Sequence, residues 1–100
     1  MGALILHKVH RLDNREVLAM CDKETVGKAL KKGDVTVNVS EKFYGTEEIG
    51  EEEARQLLRE HDNINLIGNN VVRIALEENI LSEESVIILG SVRHAQVFKI

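Results

Sequence analysis

Cys21 and Asp22 stand side by side at the end of an apolar run, just before a segment with helical spacing. A thiol at a helix start has a lowered pKa and can act as a nucleophile when a base is in reach. No cysteine-protease or redox motif surrounds Cys21, and a lone cysteine at a strand end is commonly a small buried hydrophobe. His7 and His10 are three apart in an expected strand and so point to opposite faces, while His61 beside Asp62 fits the end of a helix. With no zinc-type Cys/His spacing, no metal site and no cofactor are expected. Glu47, Glu48, Glu51, Glu52 and Glu53 could supply carboxylates for acid–base chemistry, but acids at a helix start form a solvated face matched to the helix dipole.

Two further groups could bind rather than react. Gly68-Asn69-Asn70 precedes an expected helix whose free N–H groups could hold a phosphate or carboxylate. One glycine falls short of a dinucleotide fingerprint or a phosphate loop, so ordinary capping competes with this reading. Lys28, Lys31 and Lys32 share an expected helix, and Lys42-Phe43-Tyr44 follow in a loop that holds two of the three aromatics. Lysines meeting phosphates while aromatics stack on unpaired bases would suit single-stranded RNA. The competing reading has Phe43 plugging the core below a solvated lysine face.

The elements that must position these residues follow from periodicity. Ala3 to Val9 and Glu16 to Cys21 read as a hairpin turning at Leu12-Asp13-Asn14-Arg15. Asp22 would cap a helix over Lys23 to Lys32 with Val26, Ala29 and Leu30 inward and Gly33 just past its end. Val35, Val37 and Val39 alternate with polar residues as a half-buried strand. Ser40 to Gly50 is expected as a loop and Glu51 to His61 as a helix burying Ala54, Leu57 and Leu58. Asn63 to Gly68 fits a short strand, and Asn69 or Asn70 caps a helix to Glu78 that Asn79 ends. Val86 to Leu89 resembles a central strand, and Val92 to Ile100 is the last. The order ββαβα(β)αββ predicts one α+β domain over residues 1–100, with a mixed sheet of about five strands and three helices mainly on one face.

Cys21-Asp22, Ser40 to Gly45, Asn65-Leu66-Ile67-Gly68 and Gly90 to Val97 occur in an order that resembles the archaeal domain-of-unknown-function family 424. The resemblance covers nearly the whole chain and carries no established activity. It implies an archaeal cytoplasmic protein from a family whose members sit among translation and ribosome-biogenesis genes. The chain departs from the family pattern at Thr46, where a second glycine is usual, and at Arg93, where a proline often precedes the histidine. His94 is the one histidine inside a family-like phrase, so a Cys21–His94 pair is the enzymatic alternative.

The chain has 100 residues, 13 Lys plus Arg and 17 Asp plus Glu. Such a balance argues against a generic polybasic binder, because affinity for nucleic acid grows with the number of phosphates neutralised. The acidity is local, however. Residues 46–62 hold seven acids against two bases, and the other 83 residues hold 11 bases against 10 acids. One cysteine, no signal-like start and no run of 18 apolar residues point to a soluble cytoplasmic protein.

The leading expectation is a non-enzymatic module binding RNA, the ribosome or translation factors through Lys28, Lys31, Lys32, Lys42, Phe43, Tyr44, Arg93 and His94. A protein-interaction adaptor using the acidic segment 47–62 is the other alternative. An edge strand at Val35 to Val39 or Phe98 to Ile100 would allow pairing with a second copy.

Overall fold

Apolar alternation over the first quarter of the chain doubles back at Asp13, whose φ of 57° opens a two-residue turn. The computed structural model describes residues 4–99 and shows the hairpin of β1 (Ile5–Leu12) and β2 (Arg15–Asp22) in unbroken register from Ile5↔Asp22 to Leu12↔Arg15.

Lys23 to Lys32 is not a helix. A single 3₁₀ turn over Lys23–Thr25 is followed by β3 (Ala29–Lys32), which pairs with β4 (Val35–Asn38). The i, i+3, i+4 spacing of Val26, Ala29 and Leu30 is coincidental: Ala29 is exposed, while Leu30 pairs with Val37 and is buried. Gly27 at φ 85° interrupts any helix, and Gly33 at φ 59° turns the hairpin instead of ending one.

The stretch expected as a loop contains α1 (Glu41–Tyr44) and β5 (Glu47–Ile49). The Ser40 hydroxyl accepts from the Lys42 N–H at the start of α1. Next come α2 (Glu51–Glu60), β6 (Asn63–Ile67) and α3 (Asn69–Glu77), each close to its expected span. Asn79 at φ 57° ends α3 as its side chain permits, its N–H donating back to the Leu76 carbonyl. The chain finishes through β7 (Ile87–Leu89) and β8 (Val92–Phe98), and the expectations at Ala3 and Ile100 lie outside the described residues.

The six-stranded sheet has the order β5-β1-β2-β6-β8-β7, with β2 and β6 parallel and the other neighbours antiparallel. This is the α+β class, one strand larger than expected and with a separate two-stranded β3–β4 sheet. β7 is an edge, not a central strand, and Ile87 and Ile88 are both exposed there.

Both faces of the sheet carry a core. On one, Ile5, Leu18, Met20, Ile64 and Leu66 pack beneath Ala54 and Leu58 of α2 and Val71, Val72, Ile74 and Ala75 of α3. On the other, Leu6, Ala19, Cys21, Ile67 and Leu89 are covered by Leu30, Val39 and Tyr44 from the β3–β4 hairpin and α1. So α2 and α3 share a face and α1 lies opposite. The hairpin and α1 cover only part of their face, and the uncovered part is where side chains are free to meet a ligand. No helix among the described residues is long and apolar enough to cross a membrane.

Candidate binding face of the sheet

Cys21 does not have a nucleophile's surroundings. It is fully buried, and burial, with the Asp22 carboxyl beside it, pushes the thiol up to about 12. The helix start that was to lower it is three residues of 3₁₀ turn. Ile67 lies between Cys21 and His94 in the register, which puts their backbones about 10 Å apart. The His94 imidazole instead contacts the Leu66 carbonyl at 2.7 Å through Nδ1. Cys21 is core.

The anion expectation at Gly68, Asn69 and Asn70 meets an occupant from within the chain. The Asp22 side chain, 2% exposed, accepts from the backbone N–H groups of Asn70 at 2.9 Å and Val71 at 3.0 Å, and from the Asn70 amide at 3.2 Å. It caps α3 from a neighbouring strand. Gly68 has φ 135°, and a β-carbon there would lie 2.5 Å from Cγ of Asp22, so only glycine lets the two segments meet. Asn69 is used structurally as well, donating to the Ser91 carbonyl and accepting from the Arg93 N–H.

The expected RNA-contact residues do not form one surface. Arg93 and His94 are neighbours in β8 and so point to opposite faces. Tyr44 is 6% exposed and its hydroxyl donates to Oδ1 of Asn65 at 2.6 Å. Lys31 and Lys32 lie at the tip of the β3–β4 hairpin, beside the Gly90 turn. Six residues of β8 separate that turn from Phe98, about 20 Å along the strand. Lys28 precedes β3, its carbonyl accepting from Val39. Of the set, Lys42 and Phe43 stay together, with Phe43 half-buried and stacked on His10 at 4.7 Å and 18°.

The register assembles a different surface around that pair. One row marks the border of the covered part and runs Lys8–Ala19–Asn65–Gln96, with Lys8 and Gln96 exposed, Asn65 half-buried and Ala19 fully buried. The next runs His10–Val17, then Asn63–Phe98, and beyond it lie Leu12 and Arg15. Phe98 is 76% exposed, and Lys8, Arg15, Lys42 and Gln96 are exposed too. His10 Nε2 meets the Phe43 carbonyl at 2.6 Å, and Lys8 Nζ donates to the Lys42 carbonyl at 3.1 Å, tying α1 to the sheet. These sheet positions include bases, amides and rings but no carboxylate.

A groove of about 980 Å³ continues from Asn63, Gln96 and Phe98 past Arg15. Its lining is mixed in charge, with Asp13, Glu16, Glu60 and Asp62 beside Arg11 and His61, and Arg11 pairs with Glu16 at 2.7 Å. Among the described residues no three His, Cys, Asp or Glu side chains gather as a metal site. His7 contacts Glu47 on the β5 edge and His10 contacts Phe43, so the two histidines are apart.

Sequence reasoning missed Lys8, His10, Arg15, Asn63, Asn65, Gln96 and Phe98 as a group. The signal available was period-2 alternation: residues 8 and 10, 63 and 65, and 96 and 98 each share a face within their strand. Which of those faces coincide depends on strand order, which periodicity does not specify.

A family model described as Protein of unknown function (DUF424) matches residues 10–100. The structure is similar to the crystal structure of an uncharacterized conserved protein from Methanopyrus kandleri. The TM-score is 0.78 and the sequence identity 25%, over 98% of this chain and 95% of the other. No curated protein matches the sequence.

Proposed function

We propose that this chain, which belongs to the DUF424 family of proteins of unknown function, is a non-enzymatic module that binds single-stranded RNA on the uncovered part of its sheet. The observation that carries this is the carboxylate-free set of sheet positions bearing Lys8, His10, Arg15, Asn63, Asn65, Gln96 and Phe98, next to Lys42 and Phe43 of α1. Cations on such a face neutralise phosphates, and exposed rings stack on unpaired bases whatever their identity. Amides between them offer donors and acceptors to base edges. An open sheet surface suits splayed single strands better than a duplex, whose bases are already stacked.

The acidic helix does not oppose this. α2 and α3 cover the other face, and the acids at the end of α3 are matched by arginines of α2: Arg55 reaches Glu77 at 2.7 Å and Glu78 at 3.0 Å, and Arg59 reaches Glu78 at 2.7 Å. Within residues 47–62, Glu47, Glu48 and Glu51 have ion-pair partners, and the alternative of an adaptor would rest on the exposed Glu52, Glu53, Glu60 and Asp62. The setting we propose is cytoplasmic, where ribosomal and messenger RNA expose single strands.

Retention of mixed-sequence RNA oligomers at low salt tests the reading. The K8E/R15E double variant is expected to lose at least tenfold in affinity, with a shallower salt dependence. Equal binding by wild type and K8E/R15E, or no binding by wild type at low salt, would overturn it.

A further inference from the structure

Resting on that reading, we infer that Asn65 is the residue that reads a base on this face and that Tyr44 holds its amide in the reading orientation. Asn65 lies on β6, one of the two innermost strands, in the row Lys8–Ala19–Asn65–Gln96. Its neighbour Ala19 is fully buried while Gln96 on the other side is exposed, so the half-buried Asn65 side chain stands at the border between the covered and the open part of the row.

The Tyr44 ring is buried, and a buried phenol needs a partner for its hydroxyl. It finds Oδ1 of Asn65 at 2.6 Å. That bond fixes the amide with Oδ1 toward α1, leaving the Nδ2 donors for the open face. Phe43 packs edge-on against Tyr44 at 4.9 Å and stacks on His10, so the α1 side of the site is braced by three rings. An amide held this way is a donor in a set direction, which costs a ligand less ordering than a free side chain would. The edge it suits presents a ring nitrogen or carbonyl acceptor, as every unpaired base does.

Asn65 thus contacts the ligand, whereas Tyr44 acts through it as a positioning residue. A purely structural Tyr44 would alter folding or overall affinity without altering how much a base contributes.

The test uses the full chain and pentauridylates, each carrying one abasic nucleotide at a different position, with binding read by fluorescence anisotropy. At one position, base removal is expected to weaken wild-type binding by about three- to tenfold, the range of a single net hydrogen bond. In Asn65→Ala that loss is expected to vanish, and in Tyr44→Phe to shrink to about twofold or less. The salt dependence of binding should be unchanged in both, because no phosphate contact is removed.

Losses from abasic substitution that are the same in wild type, Asn65→Ala and Tyr44→Phe would overturn the inference and leave RNA binding standing. Absence of binding by intact pentauridylate and by longer mixed-sequence RNA at low salt would overturn both. Circular dichroism of each variant checks that its fold is retained, and Asn65→Ser supplies a second, less disruptive removal of the amide.

Discussion

At the scale of single residues, Asp22 joins three parts of the fold through one carboxyl group: it ends β2, caps α3 and requires glycine at position 68. Asp22→Ala would leave two N–H groups of the α3 start without an acceptor, at a cost of about 2–3 kcal/mol in urea unfolding. Asp22→Asn keeps an acceptor and should cost less. Burial raises the Asp22 pKa above its ordinary value, opposed only in part by the N–H groups of Asn70 and Val71. The folded chain therefore holds this proton more tightly than the unfolded chain does. The stability this contributes is full below the unfolded value and is lost as pH rises through the folded one. Asp22→Asn cannot ionise, so its unfolding free energy should fall less than the wild type's across that interval. Gly68→Ala meets both a positive φ and Asp22, and is expected to cost more than about 2 kcal/mol.

Elements differ in how much of them the sequence discloses. α2 and α3 were legible because acids at the α2 start, stripes such as Ala54-Leu57-Leu58, and Asn79 beyond α3 all agree with one local answer. The segment 23–32 was not, because its helical stripe competes with a Gly33-Asp34 turn whose strands gain only from packing on a distant sheet. α1 is four residues long, too short for periodicity to register. β7 reads as central from its apolar run, but burial is decided by neighbours far along the chain, and here it has one. Two substitutions separate core from surface at this scale. Leu58→Ala on α2 removes a fully buried side chain and is expected to destabilise by about 2–5 kcal/mol. Phe98→Ala on β8 removes an exposed ring and should change stability by less than about 0.5 kcal/mol, yet weaken RNA binding severalfold. Denaturant melts and anisotropy on the same samples check both.

For the whole molecule, the sheet separates two chemistries. The helix face carries Glu51, Glu77 and Glu78 laced by Arg55, Arg59 and Arg73, and the uncovered face carries cations, amides and rings. The net charge of −4 is therefore a poor guide to what either face meets. Local acid content was legible along the chain, but the facing of Lys8, Asn65 and Phe98 was not, because it follows from the order β1-β2-β6-β8. The lysines prominent in sequence, Lys31 and Lys32, lie on the β3–β4 hairpin near the Gly90 turn, at the opposite end of β8 from Phe98. K31E/K32E should accordingly lower RNA affinity far less than K8E/R15E, as competition binding at matched salt would show.

The location of the binding face is tested most directly by titrating isotopically labelled protein with oligouridylate and following backbone amide shifts by NMR. The account predicts that the largest changes cluster at Lys8, His10, Val17, Lys42, Asn63, Asn65, Gln96 and Phe98, while Lys31, Lys32, Asn70 and the outer surfaces of α2 and α3 stay nearly still. Changes concentrated on the hairpin tip, at the start of α3 or on the acidic helices, or none at all, would contradict it.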